Sequence, residues 1–510
     1  MRIADWCLVV GLLVIGCRRE AAPPVASASG YPEPVARILV QRCAGCHNSA
    51  STATGGAHSH GRLLGNPAPS TRLNLARWDS LFYGYQGEVA PVVPFSPEWS
   101  HLLWQVNPDP TRGPVASPLM PPPLPDSSNL LTPAEIDLLR TWIAQGAPNA
   151  QGELPWSSRR TTGRRKAFVC AAGSDIVAVL DLDTYQIMHY IPVGIYPTVT
   201  ESPHYIQVSP DGRYFYVTLI AGAAVEKYRT DTYEKVGRVE VGPDPAHIEL
   251  SQDGHLAVVT HFTTTSPVKL TLLNAERMQV LDELRDPAGQ IIARPHGLWL
   301  TQDFHYAYVT ANAGNYITRV QIDPASGRFV DFTQLPLQPG DIPQPDTRWG
   351  PYQILAEPTG SYYFVSCDAA NQVRVYRQSD DRLVAVIPTA AAPKLMAYHD
   401  GLVYVACLKA SAPALQGDKL GAIAVIEAQT PRLLTHLYGL GHLPRGIGVD
   451  PEKRSLVVSF ENVAGTDPPH HPQAGLSGAP GKVYFVQIPS FQTQAVREIP
   501  LNGYGLALVP

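Results

Sequence analysis

The chain has 510 residues, 45% of them apolar, and sets 39 basic against 44 acidic side chains for a formal net charge of −5. That length exceeds what one hydrophobic core sustains, so at least two domains are expected, one of them large. The charge balance offers no basic field for phosphate backbones, so no nucleic-acid partner is expected; 49 prolines and only 16% charged residues suit short strands joined by turns.

The first segment, MRIADWCLVVGLLVIGC, puts Arg2 ahead of an apolar run from Trp6 to Ile15. The run is too short to span a bilayer but has the length of a signal-peptide core, which predicts export. Its end, Val14-Ile15-Gly16-Cys17, resembles a bacterial lipobox. The resemblance implies cleavage before Cys17, acylation of its thiol and a periplasmic or cell-surface protein tethered to a membrane. Arg18 after the cysteine leans towards the outer rather than the inner membrane. Cleavage by ordinary signal peptidase between Ala21 and Ser29 stays open. Residues 18–33 are small and Pro-rich, the composition of a flexible tether.

Residues 34–150 read as a first domain. PVARILVQRCAGC, from Pro34, carries apolar residues at helical spacing. A second amphipathic helix is predicted over Thr132 to Gln145. Thr132 is its N-cap, Pro133 its first residue, Glu135 completes a capping box, and Gly146 stops it. Between the two helices stands Met120, in the Pro-rich loop SPLMPPPLP. Residues 151–165 form a polar, basic linker.

From Lys166 onward the pattern changes to short strands rich in Val, Tyr, Ile and Thr, and it repeats. PHYIQVSPDGRYFYVT starts at Pro203, PAHIELSQDGHLAVVT at Pro245 and PHGLWLTQDFHYAYVT at Pro295, with fainter copies from Pro351, Pro393 and Pro444. Spacings of about 40 to 60 residues are those of four-stranded propeller blades. A seventh copy is split: GYGLALVP at the end supplies a first strand, and the run from Lys166 supplies the others, closing a ring of seven blades over 166–510 with 503–510 as the clasp. The repeats resemble the bacterial YVTN-type propeller family, on YVT at Tyr216 to Thr218 and Tyr308 to Thr310.

CAGCH at Cys43 to His47 is the strongest chemical signal. Two thiols three residues apart can add to the vinyl groups of a haem while the next imidazole meets the iron. One covalent haem c on Cys43 and Cys46, with His47 as an axial ligand, is therefore expected. A redox dithiol would lack the histidine, and a zinc site would need a second ligand pair. CAGCHN, SPEWSHLLWQV and LTPAEIDLLRTWIAQGA resemble the compact cytochrome c domains of planctomycete-type and myxobacterial proteins. The resemblance implies a small all-α cytochrome c domain ahead of the all-β seven-bladed propeller, a multidomain fold, with Met120 as the second axial ligand. His58, His60 and His101 stay open as alternatives to it.

Three further histidines, His204, His247 and His296, recur near the first-strand proline of successive blades. Facing one channel they could bind a metal or another ligand; each could equally bond a backbone carbonyl. Lys394 and Arg445 take comparable places in later blades, which could instead favour an anionic ligand. Cys170, Cys367 and Cys407 read as buried small hydrophobes, with a disulfide between the last two left open.

The leading functional reading is electron transfer, with the propeller as docking platform for a redox partner protein. Two alternatives remain: a propeller oxidoreductase with a metal or second cofactor in its funnel, passing electrons to the haem, and a protein-binding scaffold with a redox-sensing haem. Haem-d nitrite reductases and nitrous oxide reductases resemble the former, but this sequence lacks the clustered histidines of the latter enzymes and the eight blades of the former.

Overall fold

A computed structural model describes residues 28–48, 73–85, 87–157, 165–195, 199–263, 268–410, 421–461 and 480–509. Cys17 with the export run, His58 and His60 lie outside these residues. Among the described residues no helix is long and apolar enough to cross a membrane.

Seven four-stranded antiparallel sheets follow one another along the chain. The first strands of neighbouring blades contact each other around a common axis. Gly503–Val509 pairs antiparallel with Lys166–Ala171 and so becomes the inner strand of the first blade, as the split repeat predicts. The aspartyl turns that mark the repeat have a shared cause. Ser209 Oγ donates to Asp211 Oδ1 at 2.5 Å and accepts from the Tyr214 N–H at 3.0 Å, while Asp211 accepts from the Arg213 N–H. Ser251 with Asp253, and Thr301 with Asp303, repeat the arrangement. Each satisfies turn amides that a bare hairpin would leave to water.

The remainder does not form the all-α cytochrome c domain expected from the sequence; the molecule is nearly all β. Three α-helices are described before the propeller: α1 (Glu33–Ile38) and α2 (His101–Val106), of six residues each, and α3 (Pro133–Ala144), of twelve. Between α2 and α3 prolines recur from Pro108 to Pro125, and a chain that repeatedly lacks amide donors cannot carry a helix. Nor is this lobe separate. Tyr31, Leu39, Leu103 and Trp142 belong to one apolar core with Phe168, Cys170, Phe215 and Val217 of the first two blades. Glu88 adds an ion pair to Lys482 of the last blade at 2.7 Å, and its carbonyl accepts from the Glu498 N–H at 2.8 Å. Two domains were expected because the chain is longer than one core sustains; here the lobe shares its core with the first two blades.

Within the lobe, α3 forms as its sequence dictates. The Thr132 hydroxyl accepts from the Glu135 N–H at 3.3 Å, and the Glu135 carboxylate accepts from the Thr132 N–H at 2.7 Å. Gly146 ends the helix at φ +91°, a left-handed conformation that glycine adopts without strain. The buried face is Ile136, Leu139, Trp142 and Ile143. Complete burial of a side chain such as Leu139 contributes about 1.5–3 kcal/mol.

Candidate functional site

The thiol-bearing segment continues α1. After Ile38 the helix widens into a π-type turn over Leu39–Cys43, closed by the Ala44 N–H donating to the Leu39 carbonyl at 2.9 Å. The amides of Cys46 and His47 then both donate to the Cys43 carbonyl at 3.1 Å, folding the CAGCH motif into a tight knuckle. Arg42 anchors it from outside, bonded to the Glu135 carboxylate at 2.5 Å and to the Asn129 and Leu130 carbonyls at 2.8 and 3.0 Å. The His47 carbonyl accepts from the Leu75 N–H at 2.8 Å, which holds the far side of the motif.

Met120 reaches the same place from another direction. Its N–H donates to the Gln105 carbonyl at 2.7 Å, and Ala116 N–H donates to the Trp104 carbonyl at 2.9 Å, so the Pro-rich loop is laced to α2. Cys43, His47 and Met120 line one cavity of about 200 Å³, closed by Leu75, Leu102 and Val106. His101 also lines it. Cys46, on the same knuckle, is exposed. The walls are mostly apolar. Burial pushes the Cys43 thiol up and His47 down, leaving a neutral sulfur and an imidazole with an available lone pair at neutral pH. Burial lowers His101 too.

The propeller histidines are brought together as well. Each lies in a stretch where the register of the first strand shifts, between Pro203 and Tyr205, Pro245 and Ile248, and Pro295 and Leu298. The imidazoles of His204, His247 and His296 are buried, with ring centroids 4.4 to 6.1 Å apart. Aromatic rings pack against all three: Tyr504 on His204 at 4.3 Å, Tyr205 on His247 at 3.9 Å and Tyr352 on His296 at 3.8 Å. His204 and His296 place Nδ1 against the carbonyls of Ala246 and Tyr352 at 3.2 and 3.1 Å. Among the described residues no group of three or more His, Cys, Asp or Glu side chains is arranged to hold a metal ion.

Lys394 and Arg445 are next to this cluster, but their charges are answered. Lys394 bonds Asp368 at 2.5 Å, and Arg445 bonds Glu461. Lys394 also rests over the Tyr352 ring at 3.9 Å, and the Tyr352 and Tyr504 hydroxyls bond each other at 2.7 Å. Burial works against the Arg445 charge, and Glu461 more than offsets it. Sequence reading identified both cations and missed their acidic partners, which stand at the ends of neighbouring strands with no repeat-wide signature. Cys367 and Cys407 are not bridged; burial pushes both thiols up to about 12.

With this geometry in place the comparisons become informative. Residues 165–400 match the family model described as the cytochrome D1 heme domain. The match places the first blades of this propeller beside a haem-related family. No curated protein matches the chain. Among solved structures it is similar to the periplasmic gluconolactonase of Pseudomonas aeruginosa, at 16% identity and TM-score 0.52, over 68% of this chain and 99% of that one. It is also similar to a functionally unknown protein from Desulfotomaculum acetoxidans, at 14% identity and TM-score 0.51, over 67% and 98%. These identities show a shared propeller fold and nothing finer.

The sequence reading gave a second cofactor the propeller centre, where the three imidazoles converge. The rings there are already in contact, at 3.8 to 4.3 Å from their tyrosine neighbours, and both nearby cations are paired. The residues as placed do not fit that group. The cavity beside the CAGCH motif does fit a haem: two thiols, an imidazole and a thioether stand at or beside an apolar pocket.

Proposed function

We propose that this chain is an exported electron-transfer protein, anchored through a lipid on Cys17, that carries one haem joined by thioether bonds to Cys43 and Cys46. His47 and Met120 would hold its iron, and the propeller would serve as the docking platform for a redox partner protein. The observation that carries this reading is that Met120, distant in sequence, lines the same cavity as Cys43 and His47. The match of the propeller to a haem-related family supports the cofactor class.

When bound, the haem would supply a ferric/ferrous couple for one-electron exchange. The chain's own residues prepare for it. Burial keeps His47 neutral, with its lone pair available to a metal. The hydrogen bond from the Met120 N–H to Gln105 fixes where the thioether stands. Leu75, Leu102 and Val106 exclude water, which raises the weight of every charge inside. A Met/His pair holds the potential higher than a bis-His pair would, and two protein ligands leave no vacant position for a substrate.

The test is production in a host competent in cytochrome c maturation, followed by denaturation and acid extraction. Pigment that stays with the polypeptide, and is lost when Cys43→Ser and Cys46→Ser are combined, supports the reading. Pigment that extracts freely moves the cofactor to the propeller and favours the oxidoreductase reading. A colourless protein overturns both.

A further inference from the structure

A second cavity, of about 280 Å³, opens where the lobe meets the first and last blades. Trp99, His101 and Trp104 line it from the lobe, Tyr190 from the first blade, and Glu498 and Pro500 from the last. The aromatic walls are fixed. The Trp104 indole N–H donates to the Glu98 carbonyl at 2.9 Å, and Trp99 stands edge-on to Tyr190 with centroids 6.3 Å apart. His101 packs on Trp104 at 5.3 Å and also lines the cavity beside the CAGCH motif, so one imidazole is common to both spaces.

The polar groups are few and of a particular kind. Burial, reinforced by Glu88, raises the Glu498 carboxyl, while Lys482 at 3.8 Å works the other way. Burial keeps His101 neutral. A sugar would leave most of its hydroxyls without partners against these walls, at the full desolvation penalty of each. A flat six-membered ring carrying only two oxygens would instead stack on the indoles and leave few polar groups unpaired. Ring oxygens could then meet one acceptor and one imidazole.

We propose that this cavity binds a small planar ring of the benzoquinone/hydroquinone class between Trp99 and Trp104, with Glu498 and His101 taking its ring oxygens. The inference goes beyond the haem reading and does not need it. It puts the redox-active small molecule one side chain away from the cavity assigned to the haem.

The purified full-length protein would be titrated by calorimetry with tetramethylhydroquinone under argon, and separately with tetramethylbenzoquinone and with choline. Saturable binding of the hydroquinone at one site per chain is expected, weakened about tenfold or more by Trp99→Ala. Glu498→Gln should weaken the hydroquinone several-fold and leave the quinone nearly unchanged, because only the former offers a hydroxyl to the carboxylate; a merely structural effect would move both. Absence of saturable binding, binding indifferent to both substitutions, or tighter binding of choline overturns the proposal. A coloured protein that fails to bind sinks this inference alone, and a colourless protein that binds sinks the haem reading alone.

Discussion

Arg42 and Glu135 stand 93 residues apart in the chain and 2.5 Å apart in the fold, and the same Glu135 closes the capping box of α3. One carboxylate therefore ties the CAGCH knuckle to the start of the lobe's longest helix. Burial would raise it, but hydrogen bonds from Arg42 and then from Thr132 outweigh that and hold it below its ordinary value of 4.5. A carboxylate depressed in the folded chain stabilises above its unfolded pKa and loses that contribution as pH falls through the folded value.

Glu135→Ala is expected to cost about 1–2 kcal/mol, through the lost cap and the lost pair. Urea unfolding followed by tryptophan fluorescence would measure it. The difference between the variant and the parent should shrink below about pH 4.5, where the unfolded chain's carboxylate takes up protons before the folded one does; a constant difference would assign the loss to packing of the side chain's stem rather than to its charge.

With the haem attached as proposed, Met120→Ala should leave it in place, because the thioether bonds are elsewhere, and lower the reduction potential. Redox titration with an optical readout tests it. An unchanged potential and spectrum would remove Met120 from the iron and turn attention to His101, which lines the same cavity.

At the propeller centre the Arg445–Glu461 pair is nearly sealed from water, with side chains 4% and 5% exposed. Glu461→Met strands the guanidinium without its carboxylate and should cost about 3–5 kcal/mol. Arg445→Met combined with Glu461→Met should recover much of that, because no buried charge then remains unanswered. Denaturant midpoints of the three proteins decide the matter. Additive losses would show that the two side chains act independently.

Acid should weaken the propeller through its buried imidazoles. Burial pushes His247 down to about 3 and His261 to about 4, from an ordinary 6.5. The unfolded chain thus takes up protons that the folded chain refuses, so stability is complete above about pH 6.5 and declines as pH falls from there. Each histidine contributes at most about 1.4 kcal/mol per pH unit. His247→Phe, which preserves the stack on Tyr205, should flatten the decline between pH 6.5 and 4. An identical slope would place the acid sensitivity in other groups.

The propeller was legible in the sequence because its signals are local and recur. The alternating strands repeat with each blade, the first-strand proline recurs in six and the hydroxyl–Asp turn in three, and the split seventh copy declares how the ring closes. CAGCH is legible for a similar reason, since its spacing is its chemistry. The lobe was misread as an independent helical domain because helical periodicity in PVARILVQRCAGC and the capped Thr132 segment is genuine, whereas the apolar residues that dock on the first blade look the same as residues of a private core. Nothing in the sequence marks Trp99, Tyr190 and Glu498 as neighbours; only the docking of lobe on blade brings them to one cavity. The acidic partners Asp368 and Glu461 were silent for the same reason, as contacts across strands rather than along them.

Closure by Gly503–Val509 has a consequence for biogenesis. Of that sheet's strands the inner one is made last, so until synthesis has delivered it, Lys166–Ala171 presents an unpaired backbone edge. The lobe core rests on that same sheet. A chain clipped within Gly503–Val509 would therefore be exposed to edge-to-edge aggregation and proteolysis rather than merely shortened.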